Sequence, residues 1–591
     1  MDSINVKLEK LRGLMAENGI DAYLITKADP HQSENARAYW NGVQFISGFK
    51  GSAGTVVVTK DKAGLWTDGR YSIQSREQVK GTEFNVYITS EPGTKSYVDF
   101  IKNEVKEKGR LGFDSRTLSV SDAEKLENTL KEKEIVLFGN KDLLGPIWEN
   151  RPEDIGGKVF DHLTKYCGTD RVKKIEDVRK SMAEKEGDTY IISSLDDIAW
   201  LLNLRCADDE TLCFPAYVVM TKERTILFAN EEKLSDVLDI LKRDQVEIMP
   251  YESINEFLNT LESPGKIIIT PSKTSYSLYS EIKNEKIVKL DFDITTNMKA
   301  RKNPIEIENN KEISIKDGAA LVKFIIWIKE ACKTSPISEY EAGLKMDSLR
   351  KEIEGFVHTS FSTICGYGGN AAQAHYRATE DKNSVIKPEG FLLVDSGGNY
   401  LKGTTDITRT FALGKITEEM KRNFTLVLKC HIALAKAKFL YGATGANLDI
   451  LARLPLWEEC LDFKHGTGHG IGFALNCHEG PHRINLTAGP IRLEEGMLVS
   501  NEPGFYAENQ YGIRSENIIL VKEYGESPYG KFMEFETISF CPFDLESIDK
   551  DLLTKEETKW LNDYHKDVYE KLSPYLNDEE KAWLKENTRV I

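Results

Sequence analysis

The chain has 591 residues, 40% of them apolar and 29% charged, which predicts a globular protein of roughly three or four domains. Its net charge of −16 and its pI near 5.4 argue against a general nucleic-acid-binding or anionic-membrane-binding surface. Nine cysteines are scattered singly from Cys167 to Cys541, which argues against a disulfide framework and against a cysteine zinc site. We interpret them as buried thiols in a reducing compartment.

The first segment combines a helical pattern with strand patterns. The stretch MDSINVKLEKLRGLMAENG is charged and amphipathic, so it predicts a helix to about Asn18 and not a signal peptide. A strand in DAYLIT follows, and FISGFKGSAGTVVVT and AGLWTDGRY add β-rich runs broken by glycine. We therefore predict an α/β domain over residues 1–158. No apolar run approaches the roughly 20 residues of a membrane span, so we expect a cytoplasmic protein without a membrane partner.

The second segment echoes the first. From about residue 187, DTYIISSLDDIAWLLNLR and AYVVMTKERTILFAN repeat the order strand, helix-like turn, strand, strand. This repetition predicts a second α/β domain over residues 159–303, related to the first.

The third segment, residues 304–591, opens with long helical periodicity. Pro304 stands where a helix can begin, and Ser338 with Glu341 forms a capping box for another helix. From about residue 359 to about residue 543, strands alternate with glycine turns. We predict one domain here, with a packed helical extension from about residue 545.

The extension carries two further helix-start patterns. Thr554 is followed by Glu557 and Asn577 by Glu580, each at capping-box spacing, and Pro574 separates the two. We predict two helices in this tail.

Residues 464–472 read KHGTGHGIG and place His465 and His469 four residues apart, as in a helical zinc site. Glycine costs a helix roughly 1 kcal/mol relative to alanine at each position, and no glutamate follows the first histidine to act as base. The stretch therefore predicts extended backbone with both histidines on one strand face. One of them can then bind a metal while the other works beside it.

Four acidic residues fall inside apolar strand patterns of the third segment, and seven of the ten histidines lie between His358 and His482. FLLVDSGG contains Asp395 and TTDITRTFAL contains Asp406, and a hairpin joining these strands would bring the two side chains together. MLVSNEPGFY and YGIRSENIIL present Glu502 and Glu516 in the same way. Four buried carboxylates beside a histidine repel one another unless counter-charge is supplied, and two divalent cations would supply it.

Each of these side chains also has an ordinary structural interpretation: Asp395 as the cap of the SGGN turn, Asp406 as an ion-pair partner of Arg409, Glu502 as a loop residue, Glu516 as a partner of Arg514, and His469 as a core histidine. Asp406 and Arg409 have opposite parity on a strand, whereas Arg514 shares the face of Glu516. Because these interpretations together require two acidic strand pairs and a glycine-lined histidine strand to be unrelated, we favour the metal site.

Six motifs in order, LVDSGGNY, TTDITRTF, HGTGHGIG, CHEGP, NEPGFY and GIRSEN, resemble the metallopeptidase family with the pita-bread fold, which includes aminopeptidase P, prolidase and methionine aminopeptidase. The resemblance extends to SGFKGSAGTVVVT, LWTDGRY, KNPIEIE and LTKEETKWLNDYH, so it covers nearly the whole chain. The layout is similar to the long, three-domain cytosolic form of aminopeptidase P (Xaa-Pro aminopeptidase). Methionine aminopeptidases lack the two leading domains, and prolidases have one.

The resemblance implies a fold class of two related N-terminal α/β domains followed by a pita-bread catalytic domain. It implies two divalent metal ions per chain, with Asp395, Asp406, His469, Glu502 and Glu516 as the ligands. Four carboxylates and one imidazole are hard ligands, which suit manganese or cobalt. The family points to Mn²⁺, while Co²⁺ and Zn²⁺ stay open.

The resemblance also implies roles for these and other side chains. Asp406 and Glu516 bridge the metals, Asp395 completes one site, and His469 and Glu502 complete the other. Glu502 takes a proton from the water that becomes the attacking hydroxide, and later returns it. His375, His465 and His478 line the substrate cleft. Arg514 orients Glu516 or contacts substrate, and Tyr506 and Tyr511 are candidates for a proline pocket.

The implied function is a metalloaminopeptidase that removes the N-terminal residue from peptides with proline at the second position, by attack of a metal-bridging hydroxide. The nearest alternative is a prolidase, which cleaves Xaa-Pro dipeptides. A non-catalytic pita-bread module that binds peptides or histones and a creatinase-like enzyme without metals are disfavoured by the intact ligand set. Family analogy further implies a homodimer.

Overall fold

The computed structural model describes residues 2–139, 141–154, 156–207, 211–261 and 265–591. Contacts within the chain define two compact units, the first comprising Met1–Asp161 with Thr169–Thr295 and the second His162–Gly168 with Thr296–Ile591. Within the described residues, no helix combines the length and apolarity needed to cross a membrane. The three predicted domain ranges 1–158, 159–303 and 304–591 stay predictions, because the contacts divide the chain into two units and not three.

The first unit begins with a mixed sheet of six strands in the spatial order β4-β3-β2-β1-β5-β6. Its strands are β1 (Ala22–Thr26), β2 (Thr55–Thr59), β3 (Ala63–Thr67), β4 (Phe84–Ile88), β5 (Arg110–Phe113) and β6 (Val136–Phe138). Its helices are Ile4–Glu17, Gly42–Ser47, Ser72–Gln78, Tyr97–Glu104 and Val120–Leu130. The apolar run of β2 is buried within this sheet, and the predicted first helix and strand are confirmed.

A second sheet of six strands follows in the first unit, in the order β12-β11-β10-β8-β13-β14. The strands of this half are β7 (Val159–Asp161), β8 (Gly187–Ile192), β9 (Leu204–Cys206), β10 (Ala216–Thr221), β11 (Thr225–Ala229), β12 (Val246–Met249), β13 (Lys266–Ile269) and β14 (Ile287–Lys289), with β7 and β9 forming a separate pair. The helices are Arg171–Glu184, Leu195–Leu201, Leu238–Arg243, Ile254–Thr260 and Tyr276–Ser280.

The two sheets have the same topology. In each, the first long strand pairs antiparallel with one neighbour and parallel with the other, and the remaining pairs repeat these directions. The predicted internal repetition is therefore a real structural repeat.

The helices of the second unit range from one turn to 31 residues. They are Thr164–Cys167, Ile294–Ala300, which contains the boundary between the units, Pro304–Thr334, Glu339–Lys351, Glu418–Ala435, Gly445–Trp457, Lys555–Leu572 and Asp578–Asn587. Pro304 is the first residue of its helix, after the capping residue Asn303. The capping boxes predicted at Ser338, Thr554 and Asn577 are all present.

Five sheets complete the second unit. Its strands are β15 (Ile337–Ser338), β16 (Phe356–Thr359), β17 (Ile364–Tyr367), β18 (Val385–Ile386), β19 (Phe391–Ser396), β20 (Gly398–Tyr400), β21 (Gly403–Thr404), β22 (Ile407–Ala412), β23 (Lys438–Leu440), β24 (Gly468–Ile471), β25 (His478–Ile484), β26 (Leu498–Asn501), β27 (Gly504–Ala507), β28 (Tyr511–Arg514), β29 (Asn517–Ser527) and β30 (Gly530–Thr537). The largest sheet has the order β23-β30-β29-β26-β24-β25, and smaller ones have the orders β17-β19-β22, β16-β20-β21, β27-β28 and β15-β18.

The C-terminal helices are part of the core of the second unit. Leu561 and Val568 of the first tail helix and Leu584 of the last belong to the same buried cluster as Ile325 and Phe411. This packing confirms the predicted helical extension. All nine cysteines are free thiols, eight of them buried, and Cys460 is the exposed one.

Candidate metal centre

Asp395 and Asp406 are brought together by the pairing of β19 with β22. The two strands run antiparallel with Asp395 opposite Thr408, and Asp406 directly precedes β22. The expectation of paired strands is confirmed, but the connection between them is not a simple hairpin. The intervening chain forms the antiparallel pair β20–β21, which is inserted between the two acidic strands.

Glu502 and Glu516 lie just beyond the pairing of β26 with β29, whose last pair is Asn501 with Asn517. His469 lies on the neighbouring strand β24, which pairs with β26 through Gly470 and Val499. The three residues therefore converge from adjacent strands of one sheet.

The glycines around His469 are required by close backbone approach. A Cβ at Gly468 would lie 1.9 Å from the carbonyl oxygen of Ser500, and a Cβ at Gly470 would lie 2.2 Å from that of Glu479. No side chain fits at such distances, so both positions require glycine. Residues Gly468–Ile471 form a strand and not a helix. This confirms extended backbone at His469, but His465 lies in a bend before the strand, so the prediction that both histidines share one strand face is wrong.

Asp406, His469 and Glu516 each offer a ligand atom, and the three atoms lie within 4.8 Å of one another. His469 Nε2 lies 3.3 Å from Asp406 Oδ2 and 3.6 Å from Glu502 Oε1. Asp395 Oδ1 is buried and makes no hydrogen bond within the part of the chain that the structure describes. A buried carboxylate oxygen without a partner is costly, and a cation beside it would remove that cost. The five residues thus fit a site for divalent cations.

The electrostatics of the protein without metal point the same way. Burial raises the pKa of Asp395 and Glu516, and it raises the pKa of Glu502 to about 7. Burial acts on Asp406 in the same direction, but the hydrogen bond with His469 holds the pKa of Asp406 below its ordinary value. Without added positive charge, burial therefore disfavours the ionised form of three of the four carboxylates.

Arg514 connects Asp395 to Tyr506. Its Nη2 donates to Asp395 Oδ2 at 2.5 Å, and its Nη1 donates to the Tyr506 hydroxyl at 2.6 Å. The ordinary interpretation of Arg514 as the ion-pair partner of Glu516 is therefore wrong, because Arg514 pairs with Asp395. Glu516 Oε2 instead accepts from the Thr408 hydroxyl at 2.6 Å.

The predicted substrate-side histidines occupy three different positions. His465 Nε2 lies 2.8 Å from the Tyr506 hydroxyl, and the His478 ring stands edge to face against the His469 ring at 4.2 Å between centroids. His375 is half-buried on the loop that follows the turn at residues 368–372. Two of the three are therefore joined to the carboxylate cluster by contacts with Tyr506 and His469.

Only one of the two tyrosines considered for a proline pocket contacts these side chains. Tyr506 binds both His465 and Arg514. Tyr511 is buried in the hydrophobic core, where its hydroxyl accepts from Asn423 Nδ2 at 2.9 Å. The position of Tyr511 does not support a role in binding substrate.

Sequence reasoning missed three side chains that touch the cluster. Thr408 donates to Glu516, Ser500 donates to Glu502 Oε1 at 3.2 Å, and Cys477 Sγ lies 3.2 Å from Asp406 Oδ2. Thr408 has the same strand parity as Asp406 and Ser500 the same parity as Glu502, which was the available signal. Nothing in the pattern around Cys477 distinguishes it from a core residue.

Family models cover nearly the whole chain. Metallopeptidase family M24 matches residues 308–523 and the C-terminal region of peptidase M24 matches residues 531–591, while the creatinase/prolidase N-terminal domain matches residues 7–142 and 150–306. A probable Xaa-Pro aminopeptidase P of Laccaria bicolor is 38% identical, over 98% of this chain and 92% of its own length. The chain belongs to metallopeptidase family M24. Another M24 relative, aminopeptidase P2 of Arabidopsis thaliana, is 36% identical over 100% of this chain and 89% of its own.

Solved structures of M24 proteins extend the comparison to the fold. The X-prolyl aminopeptidase of Caenorhabditis elegans, described as a cytosolic enzyme with a di-nuclear active site, matches 100% of both chains with a TM-score of 0.96 and 32% identity. The prolidase of Pyrococcus horikoshii matches 63% of this chain with a TM-score of 0.50 and 24% identity, which shows a common fold over that part. The full-length match confirms the predicted fold class of two α/β domains followed by a pita-bread domain.

Proposed function

We propose that this M24 chain is a metalloaminopeptidase that removes the N-terminal residue from peptides whose second residue is proline. The observation that carries the proposal is the share of this chain that each group of relatives matches. Relatives that match the chain over its full length are named Xaa-Pro aminopeptidases, whereas the solved prolidase of Pyrococcus horikoshii matches 63% of it. A dipeptide-specific prolidase is therefore the second candidate.

We further propose that the chain holds two divalent metal ions, with Mn²⁺ as the preferred ion and Co²⁺ or Zn²⁺ as alternatives. The ligands would be Asp395, Asp406, His469, Glu502 and Glu516. Their support is the excess of buried carboxylates over buried cations and the hard character of the oxygen donors. When bound, such cations would supply the missing counter-charge and would lower the pKa of a bound water molecule toward neutral.

Glu502 is the proposed proton carrier. Its Oε1 lies 3.6 Å from His469 Nε2 within the proposed metal site, and there Glu502 would take a proton from the attacking water and return it to the leaving amine. The Ser500 hydroxyl donates to Glu502 Oε1 and so fixes the orientation of the carboxylate.

The histidines and Arg514 are proposed to bind and orient. His478, beside His469, and His375 and His465 would donate hydrogen bonds to peptide carbonyl oxygens and to the oxyanion of the tetrahedral intermediate. Arg514 holds Asp395 and Tyr506 in place through two hydrogen bonds, so its first role would be orientation of a metal ligand. A peptide bond to proline has no N–H, so the site must accept a ring and a tertiary amide instead.

Steady-state hydrolysis of Arg-Pro-Pro and of Gly-Pro, each with and without a chelator, tests the function. An Xaa-Pro aminopeptidase releases arginine from the tripeptide and loses this activity to the chelator. Cleavage of Gly-Pro with the tripeptide spared would identify a prolidase. Two bound metals with neither peptide cleaved would favour a binding module.

We also propose a cytoplasmic homodimer without nucleic-acid or membrane partners. The C. elegans structure is described as that of a cytosolic enzyme. On the helix Gly445–Trp457, the apolar side chains of Ile450, Leu454 and Trp457 are 46%, 47% and 37% exposed at helical spacing, which suits a protein interface. Light scattering of the purified chain tests the dimer, and a monomeric mass at micromolar concentration would contradict it.

A further inference from the structure

His431 is a fully buried histidine whose ring nitrogen contacts the backbone next to two of the five candidate ligands. It comes from the helix Glu418–Ala435. Its Nδ1 lies 3.1 Å from the carbonyl oxygen of Asn501 and 3.2 Å from that of Ser515. These residues directly precede Glu502 and Glu516, so one ring nitrogen contacts the backbone of both acidic turns.

The protonation of the His431 ring follows from its other neighbours. Arg409 can only donate, and its Nη2 donates to Asn517 Oδ1 at 2.8 Å. This fixes the Asn517 amide so that its Nδ2 faces His431 Nε2 at 3.2 Å and donates to it. Nε2 is therefore the acceptor and Nδ1 carries the hydrogen, which it shares between the two carbonyl oxygens. Burial, aided by the charge of Arg409, lowers the pKa of His431 to about 3, so the ring is neutral at physiological pH.

The same turns are held from their other sides. Asn501 Nδ2 donates to the backbone carbonyl of His431 at 2.9 Å, and Arg409 Nη1 donates to the backbone carbonyl of Glu516 at 2.6 Å. The strand ladder ends at the pair Asn501 and Asn517, so Glu502 and Glu516 receive no further cross-strand pairing from β26 and β29. Beyond that pair, the backbone N–H groups of Glu502 and Glu516 donate to the carbonyl oxygens of Thr467 and Thr408 at 2.8 Å and 3.1 Å, and the side chains of His431 and Arg409 add hydrogen bonds to the neighbouring carbonyl groups.

We propose that His431 is a positioning residue for the metal centre. Its Nδ1–H ties the peptide units before Glu502 and Glu516 to one point and so sets the distance between their carboxylates. The proposal rests on the proposed function, because those two carboxylates matter as metal ligands. Metal sites tolerate little displacement of a ligand atom, and groups that orient ligands typically change metal affinity or activity about 10–100-fold when removed.

The alternative is that His431 merely packs in the core. Its ring does stand edge to face against Phe543 and Trp560, at 5.2 Å and 6.0 Å between centroids. His565 provides a matched control, because it is also fully buried, burial lowers its pKa to about 3 as well, and its Nε2 accepts from the backbone N–H of Phe543 at 3.1 Å. The hydrogen bond of His565 goes to the core and not to an acidic turn.

The experiment compares His431→Phe, His431→Asn and His565→Phe in the full chain. Phenylalanine keeps the ring and removes its nitrogens, while the amide nitrogen of asparagine can occupy the position of Nδ1. Mn²⁺ affinity is measured calorimetrically by titrating protein that has been freed of metal and then of chelator. The thermal midpoint and the kcat and KM for Arg-Pro-Pro are measured for the same variants. We expect His431→Phe to weaken Mn²⁺ binding about 10–100-fold and to lower kcat with KM within about threefold. His431→Asn should recover most of the affinity, and His565→Phe should lower only the thermal midpoint.

Equal Mn²⁺ affinity in His431→Phe, His565→Phe and the parent chain would overturn the proposal and leave a packing role. If His431→Phe does not fold, His431→Asn is compared with His431→Gln, whose amide reaches the position of Nε2 instead. Positioning then requires tighter Mn²⁺ binding by the asparagine variant, and equal or reversed affinities contradict it. A parent chain that binds Mn²⁺ but spares Arg-Pro-Pro refutes the proposed activity while the affinity comparison still tests His431. A parent that binds no metal refutes both.

Discussion

Two buried charged clusters in the second unit contrast in how their charges are balanced. Arg350 and Asp317 form a closed pair, with Nε donating to Oδ1 at 2.7 Å and Nη2 to Oδ2 at 2.9 Å, and the Tyr400 hydroxyl donates to Oδ1 at 2.5 Å. The metal centre instead gathers four carboxylates around Arg514 and His469. The charges of the first cluster balance within the protein, and those of the second would balance only with added cations.

This difference teaches that burial alone does not identify a functional charge. Both clusters are buried, and each contains an arginine that donates to a carboxylate. What separates them is the sum of their charges, because Arg350 balances Asp317, whereas the four carboxylates of the other cluster exceed the cations beside them. A structural pair should fail through stability, and the metal centre should fail through metal binding.

The largest effect is expected from removing Asp406 or Glu516, the two residues expected to contact both cations. Asp406→Ala or Glu516→Ala leaves too few oxygens to hold two cations, so we expect loss of metal and a fall in kcat of more than about 10³-fold. Elemental analysis of the purified variants and hydrolysis of Arg-Pro-Pro measure both. Retention of two metals with substantial turnover in either variant would contradict the assignment of Asp406 and Glu516 as ligands of a dinuclear site.

The closed pair should respond in the opposite manner. Arg350→Ala leaves Asp317 buried without its partner, which typically costs about 3–5 kcal/mol of unfolding free energy. Denaturant unfolding of the chelated protein measures this loss. Metal content of whatever fraction folds should match the parent, and a selective loss of metal would erase the distinction between the clusters.

The two histidines of the glycine-rich stretch should differ although they lie four residues apart. His469→Ala should lose metal from one site, because four carboxylates remain to hold two cations. His465→Ala should keep both metals and lose about 10²–10³-fold in kcat, as a lost oxyanion contact does. Bound metal and kcat are measured for each. If His465→Ala sheds metal as readily as His469→Ala, both histidines are ligands.

The pH dependence of stability should reverse when metal is removed. In the metal-free protein, burial raises the pKa of Glu502 from 4.5 to about 7, and, although burial opposes it, the hydrogen bond with Asp406 raises the pKa of His469 from 6.5 to about 9. Between pH 4.5 and 9 the folded state therefore binds more protons than the unfolded chain at these groups, so their contribution to stability falls as pH rises.

We expect the thermal midpoint of the chelated protein to fall by several degrees between about pH 6 and about pH 8.5. With Mn²⁺ in excess it should rise over the same range, because metal binds the deprotonated ligands. The variant Glu502→Gln, measured with chelator, should flatten the first curve. A midpoint that climbs with pH in chelator argues against mutual repulsion of the carboxylates.

The smallest effect is expected at Thr408, whose hydroxyl donates to Glu516 Oε2. Thr408→Val keeps the shape and removes the hydrogen bond, which should weaken Mn²⁺ binding by about tenfold or less. Thr408→Ser restores the hydroxyl and is the matched control. Identical affinities in the two variants would mean that Thr408 does not orient Glu516.

Local patterns in the sequence determined most of the architecture. Capping boxes at Ser338, Thr554 and Asn577 need only residues three positions apart, so helix starts were readable directly. The repeat of strand order in the first unit was visible for the same reason, since strand patterns are local. Carboxylates inside apolar strands, taken with six motifs in order, pointed to the candidate ligands because each of these signals lies within a short stretch of chain.

Tertiary structure alone decided how these residues are partnered. Asp395 and Arg514 are 119 positions apart, and the packing of β19 against β28 brings their side chains within 2.5 Å. His431 and Arg409 occupy a helix and a strand with no motif around the histidine, yet they hold the two acidic turns. Such contacts depend on strand register and helix packing. These are set by the fit of distant surfaces, and no periodicity in the chain encodes them.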